Sequence, residues 1–219
     1  MNVTKRLLRL DPTLELHNEG EWGGTELEYS AFNDGGVECE VGEFLYAMVR
    51  LLKPTNVLET GTHHFMGGAY LGLGLKDNGF GELDTLEFLP EVKKIADKRI
   101  AALYLGRIVR AHLMDAALFK PTCEYQLILL DTEPQTRFKE LEKFYPHLAK
   151  GGYLLIHDLH RHMHQIPNEE HGFAWPFGII PPRMMKLVAD GRLRPFHFPT
   201  PRGLTGFYKV ADEDFKWES

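Results

Sequence analysis

The chain has 219 residues, 43% hydrophobic and 26% charged, the balance of a globular protein long enough to bury a substantial core. With 31 acidic against 25 basic residues and a formal net charge of −6, it lacks the broad basic surface that nucleic acid requires, and no apolar run reaches the length of a membrane span. Cys39 and Cys123 lie far apart without metal-ligand spacing, and the N-terminus pairs no basic segment with an apolar core and cleavage site, so a reducing, cytoplasmic setting is expected.

Residues 1–37 are polar and glycine-rich, with the turn signals "NEGEWGG" and "FNDGG". They read as an arm or flap before one main domain over 38–219, or as the contact surface of a homodimer. From Glu40 the apolar positions Val41, Phe44, Leu45, Met48, Val49 and Leu52 recur at helical spacing until Pro54 stops them. Short apolar runs then alternate with helical patterns. The strands are NVLET (56–60), ELDTLEF (82–88), RIVRAH (107–112), YQLILLD (125–131) and GYLLIHD (152–158), and helices start near Met66, Pro90, Pro134 and Pro181. Phe138, Leu141, Phe144, Tyr145 and Leu148 lie at core spacing. The stretch "RLRPFHFPTPRGLTGFYKV" holds two strands joined by "TPRG", too short for a crossover helix, so these two pair antiparallel. The expected fold is α/β: a Rossmann-like, seven-stranded, mostly parallel sheet with its last strand antiparallel and helices on both faces.

In such a sheet a ligand sits beyond the carboxyl ends of the strands. There the chain places acids: Glu59, Glu87, Asp131 and Asp158 at four strand ends, and Asp115 three residues after the third strand. Any one of these could serve as a helix cap or turn residue; the set lines a cleft with acceptors. Gly61, Gly67 and Gly68 let the backbone approach a ligand after the first strand, but the G-x-G-x-x-G spacing of a dinucleotide site is absent. Glu59 is also a poor neighbour for a pyrophosphate and a good one for a cationic amine.

Four segments together, "EVGEFLYAMVRLLKPTNVLETGT", "LDTLEFLPE", "LILLDTEPQTRFKELEKFYPHLAKGGYLLIHD" and "TPRGLTGFYK", resemble the class I S-adenosylmethionine-dependent methyltransferases. The resemblance spans roughly 38–210 and is strongest to small-molecule O-methyltransferases of the catechol, caffeoyl-CoA, sugar and antibiotic-tailoring kinds. It implies an S-adenosylmethionine site in which Glu59, Gly61, Thr62, His63 and Gly67 wrap the methionine end, Glu87 takes the ribose hydroxyls beside Phe88, Asp115 meets the adenine, and Asp131 lies beneath the sulfonium. It also implies a small-molecule acceptor methylated on a hydroxyl, a sugar or natural-product intermediate. In the metal-dependent branch an acid after the fourth strand and an Asp-Asn pair after the fifth hold magnesium or another divalent cation. Here Asp131 and Asp158 match, Leu159 stands at the Asn position, and Pro134 replaces the general-base lysine.

Five of eleven histidines fall in "HDLHRHMHQIPNEEH", 157–171. His160 is the first candidate either as general base or as a metal ligand joining Asp131 and Asp158, with a solvated loop as the plain alternative. The segment from Arg161 to Ile180, with Phe173, Trp175, Pro176 and Phe177, reads as a lid, an aromatic plug or a dimer contact. Two other functions remain open at this point: a nicotinamide-dependent dehydrogenase, and a non-catalytic module that binds S-adenosylmethionine.

Overall fold

The computed structural model describes residues 2–19, 29–33, 36–158, 173–175, 178–180, 182–198 and 200–211. Apolar runs at 57–58, 127–130 and 154–156 alternate their side chains across a sheet that is greasy on both faces, which is why it must be covered by helices twice. Its strands are β3 (Asn56–Thr60), β4 (Glu82–Glu87), β5 (Val109–Leu113), β6 (Tyr125–Leu130), β7 (Leu148–His157), β10 (Leu193–Phe198) and β11 (Leu204–Lys209), in the spatial order β10-β11-β7-β6-β3-β4-β5. β11 runs antiparallel to both neighbours, while β7, β6, β3, β4 and β5 are mutually parallel. The expected architecture is the one found. A dinucleotide-binding sheet has six parallel strands without a reversed strand between the fifth and sixth, so the topology gives the dehydrogenase alternative no support.

One face carries Val57, Leu83, Leu127, Leu129 and Leu155 against α1 (Val3–Leu10), α2 (Cys39–Leu52), α3 (Met66–Asn78) and α4 (Pro90–Ala102). The other carries Leu58, Leu86, Ile128, Leu130, Leu154 and Ile156 against α5 (Pro134–Phe144), with Leu141, Phe144, Tyr145 and Leu148 as expected, and α6 (Pro182–Ala189). Pro90 and Pro134 open their helices, where a missing N–H costs nothing.

Three features differ from the sequence reading. α1 was concealed by the turn signals around it: Asn2 caps it by accepting from Lys5 N at 2.8 Å, and Val3 and Leu7 enter the core. It leads into a hairpin of β1 (Leu16–Glu19) and β2 (Tyr29–Phe32). β7 begins four residues early because Gly151, at φ 76°, lets the chain bulge between the Leu148 and Tyr153 pairings. Within 161–180, the segment expected to form a lid, an aromatic plug or a dimer contact, the described residues form two short antiparallel strands that were not expected, β8 (Phe173–Trp175) and β9 (Gly178–Ile180); the rest lies outside the described residues.

α2 and α3 cross closely enough that a Cβ on Gly42 would stand 2.2 Å from the Tyr70 ring, and one on Gly74 would stand 2.8 Å from Val49 Cβ. Overpacking at this crossing is expected to cost Gly42→Ala about 1–3 kcal/mol in urea denaturation. Leu51→Ala on the same helix, at a side chain 81% exposed, should stay within about 0.5 kcal/mol of the parent. Equal midpoints for the two variants would refute the close crossing.

Candidate functional site

After β3 the chain turns at Gly61, whose φ of 77° is open to glycine and whose Cβ position lies 2.3 Å from the Asp131 carbonyl oxygen. Only a residue without a side chain lets this loop pass over the end of β6. Gly61 N and Thr62 N both donate to Leu86 O, at 3.1 and 3.0 Å, which pins the loop to the end of β4 as well. His63 N donates to Glu87 Oε2 and Leu89 N to Glu87 Oε1, each at 2.9 Å. The Glu87 carboxylate is thus set rigidly between the loop and the start of α4, with lone pairs still available toward the space it borders. The bulky loop residues are absorbed locally: His63 and His64 stack with centroids 4.1 Å apart, and Phe65, in the left-handed region, buries its ring.

That space is a cavity of about 890 Å³ at the carboxyl ends of β3, β4, β6 and β7 and just past β5. It brings together Gly61, His63, Glu87, Phe88, Asp115, Asp131 and Asp158, with Arg137, Glu140 and Arg202 added. Thr62, Gly67 and Glu59 do not line it. Glu59 is 2% exposed and turned beneath the loop, accepting from Thr85 Oγ1 at 2.6 Å; Thr62 Oγ1 lies 2.5 Å from the same hydroxyl. A Cβ on Gly67 or Gly68 would stand 2.6 or 2.7 Å from its oxygens. Burial pushes the carboxyl up to about 8, with hydrogen bonds from Thr85 and the Gly68 N–H opposing and the charges of Asp131 and Glu87 assisting. Glu59, Thr62 and Gly67, expected at the methionine end, are thus placed beneath the loop and outside the lining of this cavity.

At the opposite wall is a buried ionic cluster. His157, the last residue of β7, has Nε2 2.5 Å from Glu38 Oε2 and Nδ1 3.0 Å from Asp131 Oδ1, with Asp158 Oδ1 at 3.4 Å. Burial disfavours its charge, but Asp158, Asp131 and Glu38 overcome that and raise it to about 10. Arg137 Nη2 lies 3.2 Å from Asp158 Oδ2 and 3.6 Å from Asp131 Oδ1. Arg202 meets Asp158 through Nε at 2.7 Å and Nη2 at 2.8 Å, and its backbone N donates to Glu38 Oε1 at 3.1 Å. Burial would raise Asp158, yet His157 and the two guanidiniums hold it down at about 2. The residue itself sits at φ 58°, a strained position for a side chain with a Cβ, held by these contacts.

Asp131, His157 and Asp158 have donor atoms within 4.8 Å of one another, the spacing a metal would need. The expected third ligand, His160, lies outside the described residues, and His157 occupies that position in the geometry. The set does not fit a divalent ion as it stands. Both ring nitrogens of His157 face carboxylate oxygens, which only accept, so neither offers a lone pair. Asp158 is engaged on both oxygens by guanidinium groups. Sequence reasoning passed over Glu38, Arg137 and Arg202, and counted His157 only as one of a cluster. His157 could have been separated from its neighbours because it closes a strand while His160 follows it.

No family model matches the chain. A Mycobacterium sp. strain KMS protein with the provisional name O-methyltransferase is 25% identical over 127 residues, 56% of this chain and 57% of its own length. This chain therefore spans a little over half the length of the curated relatives it matches. Among solved structures, the O-methyltransferase TomG of Streptomyces achromogenes, in complex with S-adenosylmethionine, superposes with a TM-score of 0.64 at 18% identity, covering 82% of this chain and 83% of that one. The Bacillus cereus O-methyltransferase in complex with S-adenosylhomocysteine gives 0.61 at 19%, covering 80% and 83%. The chain shares the fold of these two O-methyltransferases.

The ionised state of His157 has a measurable consequence. Its folded pKa of about 10 lies above the value of about 6.5 for a free imidazole, so its stabilisation is complete below about pH 6.5 and is lost as pH rises toward 10. Urea denaturation should show the parent losing stability over that window more steeply than His157→Gln. Parallel profiles would mean that His157 carries no charge in the folded state.

Proposed function

We propose that this chain is an S-adenosylmethionine-dependent methyltransferase acting on a hydroxyl of a small molecule. The observation that carries the reading is the single cavity that gathers the glycine turn and three acids, Glu87, Asp115 and Asp131, from successive strand ends. Its volume of about 890 Å³ is that of a site for a cofactor-sized ligand, and its carboxylates suit one that is cationic at its methionine end. Among the described residues no helix is long and apolar enough to cross a membrane. The names of the mycobacterial relatives and the bound ligands of TomG and the B. cereus enzyme agree with this reading.

The cofactor, when bound, supplies a methyl group on a positively charged sulfur. Glu87, pre-set by two backbone N–H groups, is assigned to the ribose hydroxyls, with Phe88 beside it. Asp115, whose Oδ1 accepts from Ala117 N at 2.8 Å, borders the adenine end with Ala116 and Ala117. Gly61 and His63 line the methionine end. Asp131 is held by His157 and remains 15% exposed to the cavity, where it faces both the cationic end of the cofactor and the acceptor hydroxyl. His157, protonated on both nitrogens, orients this carboxylate and does not itself take the acceptor's proton.

Titration calorimetry with S-adenosylhomocysteine should give micromolar binding, weakened about tenfold or more in Glu87→Gln through the loss of hydrogen bonds to a charged acceptor. Asp131→Asn should retain most of that affinity and lose turnover over a panel of phenolic and sugar acceptors. No binding by the parent would remove the reading, and binding without turnover in the parent would favour a non-catalytic module.

A further inference from the structure

The acid pair that the sequence offers to a divalent ion is already occupied. Asp158 receives Arg202 along both carboxylate oxygens, at 2.7 and 2.8 Å, and Arg137 at 3.2 Å, with Arg137 reaching on to Asp131 at 3.6 Å. Both guanidiniums are anchored away from the acids too. Arg137, 3% exposed, donates to Thr132 O and His157 O, and Arg202 donates to Gly36 O. They arrive from unrelated parts of the fold, one from α5 and the other from the turn between β10 and β11. We infer that Arg137 and Arg202 together replace a divalent cation at this wall of the cavity, so that the centre is built to work without a metal.

The charge supports the substitution. Two guanidiniums bring the two positive charges that a divalent ion would bring, and they bring them with fixed direction. An added ion would have to enter within a few ångströms of three cationic groups, and both oxygens of Asp158, which it would need as ligands, already lie within ion-pair distance of Arg202. Leu159 and Pro134, at the positions where a metal-dependent relative carries its Asn ligand and its lysine, are consistent with a centre that no longer serves an ion. The inference concerns ion binding alone and stands apart from the methyltransferase reading, since it is tested with no cofactor or acceptor present.

The experiment is a Mn²⁺ titration of the chelator-treated full chain, followed by electron paramagnetic resonance of the free ion. The parent is expected to bind no Mn²⁺ up to millimolar concentration. Arg202→Met, which leaves Asp158 without its fork, should gain affinity by about tenfold or more. Arg202→Lys, which keeps the charge but not the planar pair, covers the case in which the methionine variant does not fold, and should gain less. Micromolar binding by the parent that disappears in Asp158→Asn would overturn the inference. So would a folded Arg202→Met that binds no better than the parent, because the arginine would then not be what excludes the ion.

Discussion

Asp158 directly follows a buried strand and carries a carboxylate that is only 9% exposed, and much of the surrounding structure is organised to neutralise it. Removing such a charge from water is costly unless partners are fixed in place beforehand. Here they come from α5, from the last residue of β7 and from the turn between β10 and β11, while Glu38, in the loop before α2, in turn meets His157 and Arg202. The cluster counts three acids, Glu38, Asp131 and Asp158, against three cations, His157, Arg137 and Arg202. Balance of this kind joins segments far apart in sequence, since the Arg202 to Glu38 contact spans 164 residues.

The other wall of the cavity rests on a different device. Hydroxyl groups of Thr62 and Thr85 and the carboxyl of Glu59 form a short buried relay under the glycine loop, so the loop's shape is set from below while its upper side stays open. The N-terminal residues take part in the same support. Asp11 binds Arg99 of α4 at 2.9 Å, and Arg99 in turn donates to the His64 carbonyl. One wall is therefore held by a buried carboxyl–hydroxyl relay backed by the Asp11–Arg99 pair, the other by a network of six charged groups.

Much of this architecture was legible in the chain. The strand at 125–131 declares itself because it is almost wholly apolar and ends on an acid, those at 56–60 and 82–88 through short apolar patterns with an acid one residue from the end, and Pro90 and Pro134 mark where helices begin. The acids bordering the cavity follow from the rule that ligands lie at strand ends. What was not legible depends on contacts with no local trace. Nothing in "NVLETG" says whether Glu59 points above or below the loop, because that depends on how closely Gly67 and Gly68 approach it. Arg137 sits in an ordinary amphipathic helix, and Arg202 in a turn whose only visible property is its shortness. α1 was hidden because a two-turn helix with Val3 and Leu7 as its core contacts gives too short a period to stand out beside strong turn signals.

The reversed strand β11 has a bearing on how the molecule comes to be. Because it is inserted between β7 and β10, and because the turn that precedes it carries Arg202, the wall around Asp158 is completed by a residue made 44 positions later in the chain. Until that hairpin docks, β7 is an open edge and Asp158 has only Arg137 and His157 to face. A sheet assembled in the order of synthesis would therefore grow outward from β3 and later close inward at β11, with docking of the β10–β11 hairpin acting as the step that commits the cavity to its final form.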